Sequence, residues 1–372
     1  MKITNIKTKI YSGENSLEVL SNLKNERVFI VCDQYLVKSN IIKKILNMLN
    51  TTNKISIFSD VVPDPNLEVV GNGLVKFVKE NPTIVICFGG GSSIDTGKGI
   101  IYFARLKKLC KNVTLIAIPT TSGTGSEVTS ATVITDKEEN IKHAIFDNKL
   151  TPDIAILDPI FTVTVPKKIT ANTGIDVLTH AIEAYVSKGS TFYSDAFSEK
   201  AFELVIKSLL KCYIEPNNIE ARSMMMEASN MAGIAFNIAG LGVNHSIAHQ
   251  LGAIYHIPHG LANAMVLKEI IKFNSRNSNV KKKYADLVYK SKMVDNYLDE
   301  DSAIKILQEY IDQIMTIMEM PKKISEFNKE IKINTNDLEI MKKNAMIDNC
   351  MKTTPVEISD LGIEIIIRNI LK

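Results

Sequence analysis

Between Gly174 and Gly260 the chain concentrates residues that bind metals. It has six histidines in 372 residues, and five fall in this window: His180, His245, His249, His256 and His259. Asp176 lies four residues before His180, and His245 four before His249. On helices each of these pairs shares one face. His259 follows Pro258, a turn signal. Two helix faces and a turn can supply ligands to an ion buried between helices. A carboxylate with imidazoles and no thiol suits a borderline divalent cation such as Fe²⁺ or Zn²⁺. An open position on that ion would polarise a carbonyl or stabilise an alkoxide. Any one histidine is more often a hydrogen-bonded core or surface residue; it is their concentration that argues for a metal site. Glu183 is also near by spacing, but it lies about 60° around the helix from His180. A structural or surface role is expected for it. His143 stands apart and reads as a surface residue.

The elements that position these residues divide the chain in two. Up to about Val165, short apolar runs alternate with helical spacing. Arg27–Cys32, Lys54–Phe58, Thr83–Phe88, Val113–Ile118 and Ile154–Leu157 read as strands. Asn40–Leu49 and Asn66–Glu80 read as helices, and Ala131–Thr135 with Ile141–Phe146 as a hairpin. Asp33 ends the first of these strands, where a carboxylate can accept from both hydroxyls of an adenosine ribose and repel a 2′-phosphate. A turn or helix-cap role is the plainer reading of the same residue. Gly89-Gly90-Gly91-Ser92-Ser93 joins a strand to a helix, the arrangement that offers backbone N–H groups to a pyrophosphate. The spacing is not GxGxxG, since Ile94 stands at the third glycine position, and Gly97-Lys98-Gly99 is not a Walker A motif. Pro119-Thr120-Thr121-Ser-Gly-Thr-Gly is a second hydroxyl- and glycine-rich loop at a strand end. From Pro166 onward only helical periodicity remains. The expected organisation is an α/β domain over 1–165 followed by an all-helical domain over 166–372.

Composition narrows the function classes. At 45% apolar, 23% charged and a net charge of +3, the sequence has no basic face for nucleic acid and no membrane character. No apolar run reaches about 18 residues, and the N-terminus lacks a hydrophobic signal region. Cys32, Cys87, Cys110, Cys212 and Cys350 are odd in number and contain no CxxC. They read as free thiols of a cytoplasmic protein.

Several stretches together resemble the iron-containing (group III) alcohol dehydrogenases. They are Gly89–Asp95, Ile118–Thr129, Leu157-Asp-Pro159, Thr170–Val186, and Asn244-His245 through His259-Gly260. Ile10–Gly13, Phe58-Ser-Asp, Pro63–Pro65 and Ile247–Gly252 carry a narrower likeness to the propanol dehydrogenases of propanediol-degrading microcompartments. The resemblance implies a Rossmann-like nucleotide-binding α/β domain plus an all-α metal-binding domain, with the site in the cleft between them. It implies metal ligands at Asp176, His180, His245 and His259, with Fe²⁺ favoured and Zn²⁺ the alternative. It implies NAD(H) contacts at Asp33, Gly90, Gly91, Ser92, Asp95, Thr120, Thr121, Thr129 and Lys142. His249 would lie near the nicotinamide without binding the metal; as the expected catalytic residue it, or a ribose hydroxyl, would pass a proton through water to the alkoxide. Phe236 would line the substrate pocket. A homo-oligomer, such as a dimer, and a place among microcompartment enzymes are also implied. The sequence departs from the family at His256, where Asn is common and metal competition is conceivable. It also departs at Thr353-Thr-Pro355-Val, which lacks the usual Asn-Pro-Arg run and touches no chemistry the sequence can name.

The expected reaction is NADH-linked reduction of short-chain aldehydes, propionaldehyde and acetaldehyde first, by hydride transfer to a metal-polarised carbonyl. Three alternatives compete. The same fold could take a diol or hydroxy-aldehyde such as lactaldehyde, 1,3-propanediol or 4-hydroxybutyrate. A dehydroquinate-synthase-type lyase would need a phosphate-binding Lys/Arg cluster beside the ligands, and the window shows none. A non-enzymatic scaffold would be expected to have lost ligands, and all four are present.

Overall fold

The computed structural model describes residues 4–110, 112–136, 141–294 and 297–371, with the side chains of Ile141 and Lys142 outside that set. The chain divides into two compact units, Met1–Val165 and Pro166–Lys372. No helix among the described residues is long and apolar enough to cross a membrane.

The first unit contains β1 (Lys9–Ser12), β2 (Arg27–Asp33), α1 (Gln34–Lys38), α2 (Lys43–Leu46), β3 (Lys54–Val61), α3 (Leu67–Glu80), β4 (Ile84–Gly89), α4 (Gly91–Leu106), β5 (Thr114–Pro119), β6 (Ala131–Asp136), β7 (Ile141–Phe146) and β8 (Ile154–Leu157). Six strands form a parallel sheet in the order β1-β8-β5-β4-β2-β3. The β6–β7 hairpin pairs antiparallel beside it. The continuous apolar runs follow from burial of both sheet faces. Phe29, Val31, Val85 and Cys87 pack with α3 and α4 through Phe77, Ile94 and Ile100. Their neighbours Val28, Ile30, Ile84 and Ile86 pack on the other side with Leu20, Ile45 and Phe161. The helical spacing over 40–49 becomes only one short helix flanked by turns. Consecutive turns suffice to bury Ile42, Ile45 and Leu49. β1 is a largely exposed edge strand, which explains its faint pattern in the sequence.

From β2 the chain moves to β3 on one side and then to β4 on the other. Such a reversal opens a crevice at the strands' carboxyl ends, where doubly wound folds bind ligands. One buried cation fixes the loop beside it. Lys98, on α4, is fully buried and donates to the carbonyls of Ser126 (2.6 Å), Thr129 (2.8 Å) and Ala131 (2.9 Å). Burial pushes its pKa down to about 8, against the pull of Asp95 and Glu127. Asp95 works in parallel: its carboxylate accepts from Ser126 Oγ (2.7 Å) and the Val133 N–H (3.2 Å). The sequence reading gave Lys98 no role, because a lysine inside a helix carries no sign of which carbonyls it will meet.

The second unit is helical: α5 (Lys167–Val186), α6 (Phe192–Ile214), α7 (Ile219–Ala239), α8 (Val243–Tyr255), α9 (His259–Asn274), α10 (Ser278–Lys290), α11 (Glu300–Ile317), α12 (Ile324–Phe327), α13 (Thr335–Ile347) and α14 (Asp360–Asn369). Every residue of α5 from Gly174 to Val186 is buried. A helix buried on all sides is a unit's axis, and α6, α7, α9 and α10 surround it.

The Lys98 network yields one prediction. Lys98→Met should leave three carbonyls without their donor. Amide exchange across 124–133 should then quicken by on the order of 100-fold, equivalent to about 3 kcal/mol. Hydrogen-exchange mass spectrometry reads this, and unchanged protection would remove the pinning role.

Candidate metal centre and dinucleotide loops

α5 carries Asp176 and His180 one turn apart, both buried. α8 begins after Gly242 and places His245 in its first turn. α9 begins at His259, directly after Pro258. Its close approach to α5 depends on Gly260, where a Cβ would stand 2.0 Å from the Asn172 carbonyl oxygen. Three helices thus aim at one oxygen. Asp176 Oδ1 lies 3.9 Å from His180 Nε2, 3.7 Å from His245 Nε2 and 3.5 Å from His259 Nε2. The four candidate ligand atoms all lie within 4.8 Å of one another.

The imidazoles are set for ligation. The His245 Nδ1–H donates to Glu183 Oε2, which turns Nε2 toward Asp176. The other Glu183 oxygen accepts the Asn244 N–H at 2.9 Å. Glu183 is buried, which excludes the surface alternative and leaves it a structural partner of His245. The Asn263 amide nitrogen donates to Asp176 Oδ1 (2.8 Å) and reaches His245 Nε2 (3.1 Å) and His259 Nε2 (3.2 Å). One amide nitrogen within 3.2 Å of three of these atoms shows that they face one place. Three imidazoles and a carboxylate converging there fit a divalent cation. Sequence reasoning missed Asn263, which sits one turn after His259 and could have been found by that spacing.

Charge coupling within the group is strong. Burial alone would raise Asp176, but His180, His259 and His245 hold its carboxyl well below the usual range. Burial disfavours a charged His245, yet Glu183 and Asp176 lift it to about 9. His259 is driven down by desolvation of its ring and by the neighbouring imidazoles, although 42% of its side chain is exposed.

The other residues of the window separate by role. His249 is not in the four-residue group. Its ring stacks on His259, with centroids 5.4 Å apart and a 17° tilt, and its Nδ1 is bonded to Asp348 Oδ2 at 2.8 Å. His256 is exposed and caps α8 in the left-handed conformation (φ 54°), with its N–H on the Gly252 carbonyl. It therefore ends a helix and does not compete for metal, and Asn at this position would suit the same backbone. Phe236, on α7, lies 4.6 Å from the His180 ring. The segment after α13 corrects another expectation. Thr353 Oγ1 donates to the Leu241 carbonyl (2.7 Å), and its own carbonyl accepts the Lys188 N–H (3.0 Å). The segment therefore packs beside the start of α8 and brings Asp348 to His249.

The first unit collects the loops at its strand ends. Asp33 ends β2 and caps α1 through Oδ1 to the Leu36 N–H (3.0 Å), so the cap reading holds for one oxygen. Its Oδ2 makes no hydrogen bond among the described residues. Gly89 turns at φ +145°, where a Cβ would stand 2.3 Å from Ser93 Oγ. Gly90 caps α4 without a side chain, so no cap side chain satisfies the first N–H groups of that helix, at Gly91 and Ser92. The Thr120 N–H donates to the Gly89 carbonyl (3.0 Å), and Thr121 Oγ1 faces Gly90. Asp95 and Thr129 lie deeper, engaged with Ser126, Val133 and Lys98. Lys142 belongs to β7, but its side chain lies outside the described residues. His143 is exposed on the same strand, and all five cysteines are free.

Comparison with known proteins agrees across the chain. Residues 7–159 match the family described as iron-containing alcohol dehydrogenase, and residues 170–371 match the Fe-containing alcohol dehydrogenase family, C-terminal. The 1-propanol dehydrogenase PduQ of Citrobacter freundii is 42% identical over 355 residues, covering 95% of this chain and 96% of that protein. An NADPH-dependent butanol dehydrogenase of Clostridium saccharobutylicum is 35% identical over 368 residues, covering 94% and 93%. A solved 1,3-propanediol oxidoreductase superposes over 100% of both chains with a TM-score of 0.92 at 30% identity. The chain belongs to the iron-containing alcohol dehydrogenase family.

Proposed function

We propose that this member of the family is an NADH-linked reductase of short-chain aldehydes, with propionaldehyde and acetaldehyde as first substrates. The observation that carries the proposal is the convergence of His180, His245 and His259 on the Asp176 carboxylate with no thiol among them. A divalent cation held there, Fe²⁺ by preference or Zn²⁺, would polarise the aldehyde carbonyl. Asp176 supplies the negative charge, Glu183 keeps His245 in its ligating tautomer, and Asn263 orients the carboxylate. Phe236 presents an apolar face beside His180 that suits a short alkyl chain over a charged one.

In the first unit, Asp33 would accept from the adenosine ribose hydroxyls and disfavour a 2′-phosphate. The open N–H groups at Gly91 and Ser92, with Gly90, Thr120 and Thr121, would receive the pyrophosphate. Asp95 and Thr129 would act by holding the neighbouring loop, and Lys142 by its charge. This assigns dinucleotide binding to residues 1–165 and metal binding to residues 166–372. The likeness to a 1-propanol dehydrogenase underlies a proposed partnership with the enzymes of a propanediol-degrading microcompartment; a homo-oligomer such as a dimer is proposed with it. A second reading, reduction of hydroxy-aldehydes such as 3-hydroxypropionaldehyde, draws on the likeness to 1,3-propanediol oxidoreductase. An anaerobic panel of aldehydes with NADH and added Fe²⁺ or Zn²⁺ separates the two by kcat/KM.

Three outcomes follow for variants. His180→Ala or His259→Ala should lose bound metal and lower aldehyde reduction by more than about 100-fold; full activity in metal-free protein would end the metal-centred reading. Glu183→Gln keeps an acceptor for the Asn244 N–H but turns an amide toward His245. Competition with a chromogenic chelator should show metal affinity weakened by about 10–100-fold. Asp33→Gly should raise kcat/KM for NADPH relative to NADH by about tenfold or more, and an unchanged ratio would remove the ribose role.

A further inference from the structure

His249 would be of little use as a proton relay if its ring were free to turn. Two contacts prevent that. The ring lies nearly parallel to His259, at 17° and 5.4 Å between centroids, which fixes its plane. The bond from Nδ1 to Asp348 Oδ2, at 2.8 Å, fixes its rotation within that plane. We propose that Asp348 is a positioning residue that holds His249 as the Nδ1–H tautomer, leaving Nε2 as the nitrogen that exchanges protons with the substrate. The proposal rests on the aldehyde-reductase reading given above.

The chemistry of the carboxylate decides the tautomer. Asp348 is half-buried, and its oxygens are committed: Oδ1 accepts the Cys350 N–H at 2.8 Å, and Oδ2 accepts from His249. An ionised carboxylate only accepts, so the proton of that bond resides on Nδ1. Burial would raise the Asp348 pKa, but the donors His249 and Cys350 bring it below the ordinary value. The carboxylate is also fixed relative to α8. It caps the short turn Asn349–Thr353. Beyond that turn, Thr353 is bonded to Leu241, just ahead of α8. On the other side, α13 is tied to the end of α8 by the bond from Tyr255 Oη to Asp337 (2.8 Å). Asp348 is thus held from both ends of the helix that carries His249.

A bound dihydronicotinamide would supply the hydride to the carbonyl carbon and become the oxidised nicotinamide cation. The π pair of the C=O bond stays on oxygen. The proton that completes the hydroxyl leaves His249 Nε2, and the imidazolium becomes a neutral Nδ1–H imidazole that is recharged from water on Nε2. The Nδ1 proton stays on the Asp348 bond throughout.

The test uses full-length protein loaded with Zn²⁺ and labelled with ¹⁵N-histidine, where six histidines keep the spectrum tractable. Long-range ¹H–¹⁵N correlation should show neutral His249 as the Nδ1–H tautomer in the unsubstituted chain. Finding it as Nε2–H would overturn the proposal without any variant. Asp348→Asn retains the cap on Cys350 and turns an NH₂ toward Nδ1, so the imidazole proton should move to Nε2. With metal content and the KM for NADH held, kcat should fall by about 10²–10⁴-fold. In a His249→Gln background the same substitution should change kcat by less than about twofold, because Asp348 acts through His249. Independent losses in the double variant, or an unmoved tautomer, would overturn the role. So would a second bound Zn²⁺ that disappears in Asp348→Asn, since His249, Asp348 and Cys350 lie within 4.8 Å and would then be ligands. If the unsubstituted chain reduces no aldehyde, the substrate reading fails, and the tautomer measurement still decides the positioning claim.

Discussion

The second unit is organised around a carboxylate that cannot be buried alone. Asp176 sits in the most enclosed part of the most enclosed helix. An unpaired ionised carboxyl there would cost far more than the fold could tolerate. It persists because α5, α8 and α9 each deliver an imidazole to it, and α9 an amide as well. The packing of these helices and the chemistry of the site are therefore the same constraint. Gly260 illustrates it: a side chain there would meet the Asn172 backbone, push α9 away and take His259 with it.

Around that centre the same device recurs. Glu183 stands behind His245, and Asp348 behind His249. In each case a carboxylate is bonded to Nδ1 and so sets which way Nε2 points. One imidazole thereby turns its Nε2 to Asp176, and the other lies stacked on His259 outside that four-residue group. In the first unit, Lys98 and Asp95 hold a loop from beneath through backbone carbonyls and a backbone N–H. The groups that would meet ligands in both units are short-range and few, and buried ionic partners keep them in place.

Much of this was legible in the sequence because it is local. Strands buried on both faces write continuous apolar runs, so β2, β4 and β5 could be read directly. Helical spacing placed Asp176 with His180 and His245 with His249 on common faces. The glycine turn announced itself between a strand and a helix. The rarity of histidine elsewhere marked the window before any fold was known. Short or exposed elements were less legible: β1 buries too little to leave a pattern, and the 40–49 segment meets its apolar spacing with turns.

Pairings between distant segments could be decided only by the tertiary structure, because no spacing encodes them. Glu183 looked misdirected on its own helix, yet it meets His245, 62 residues away. Lys98 looked like a failed phosphate motif and is a buried pin. The Thr353 segment looked remote from any chemistry, yet it and Asp348 abut the helix that carries His245 and His249. His256 looked like a spare ligand and is a helix cap, since only the backbone conformation shows that the helix ends there. The sequence by itself determined which residue types the chain brings to its two units and on which local faces they lie. The fold decided which of them are paired, and so which nitrogen of each histidine faces the chemistry, because a hydrogen bond depends on distance in space and not along the chain.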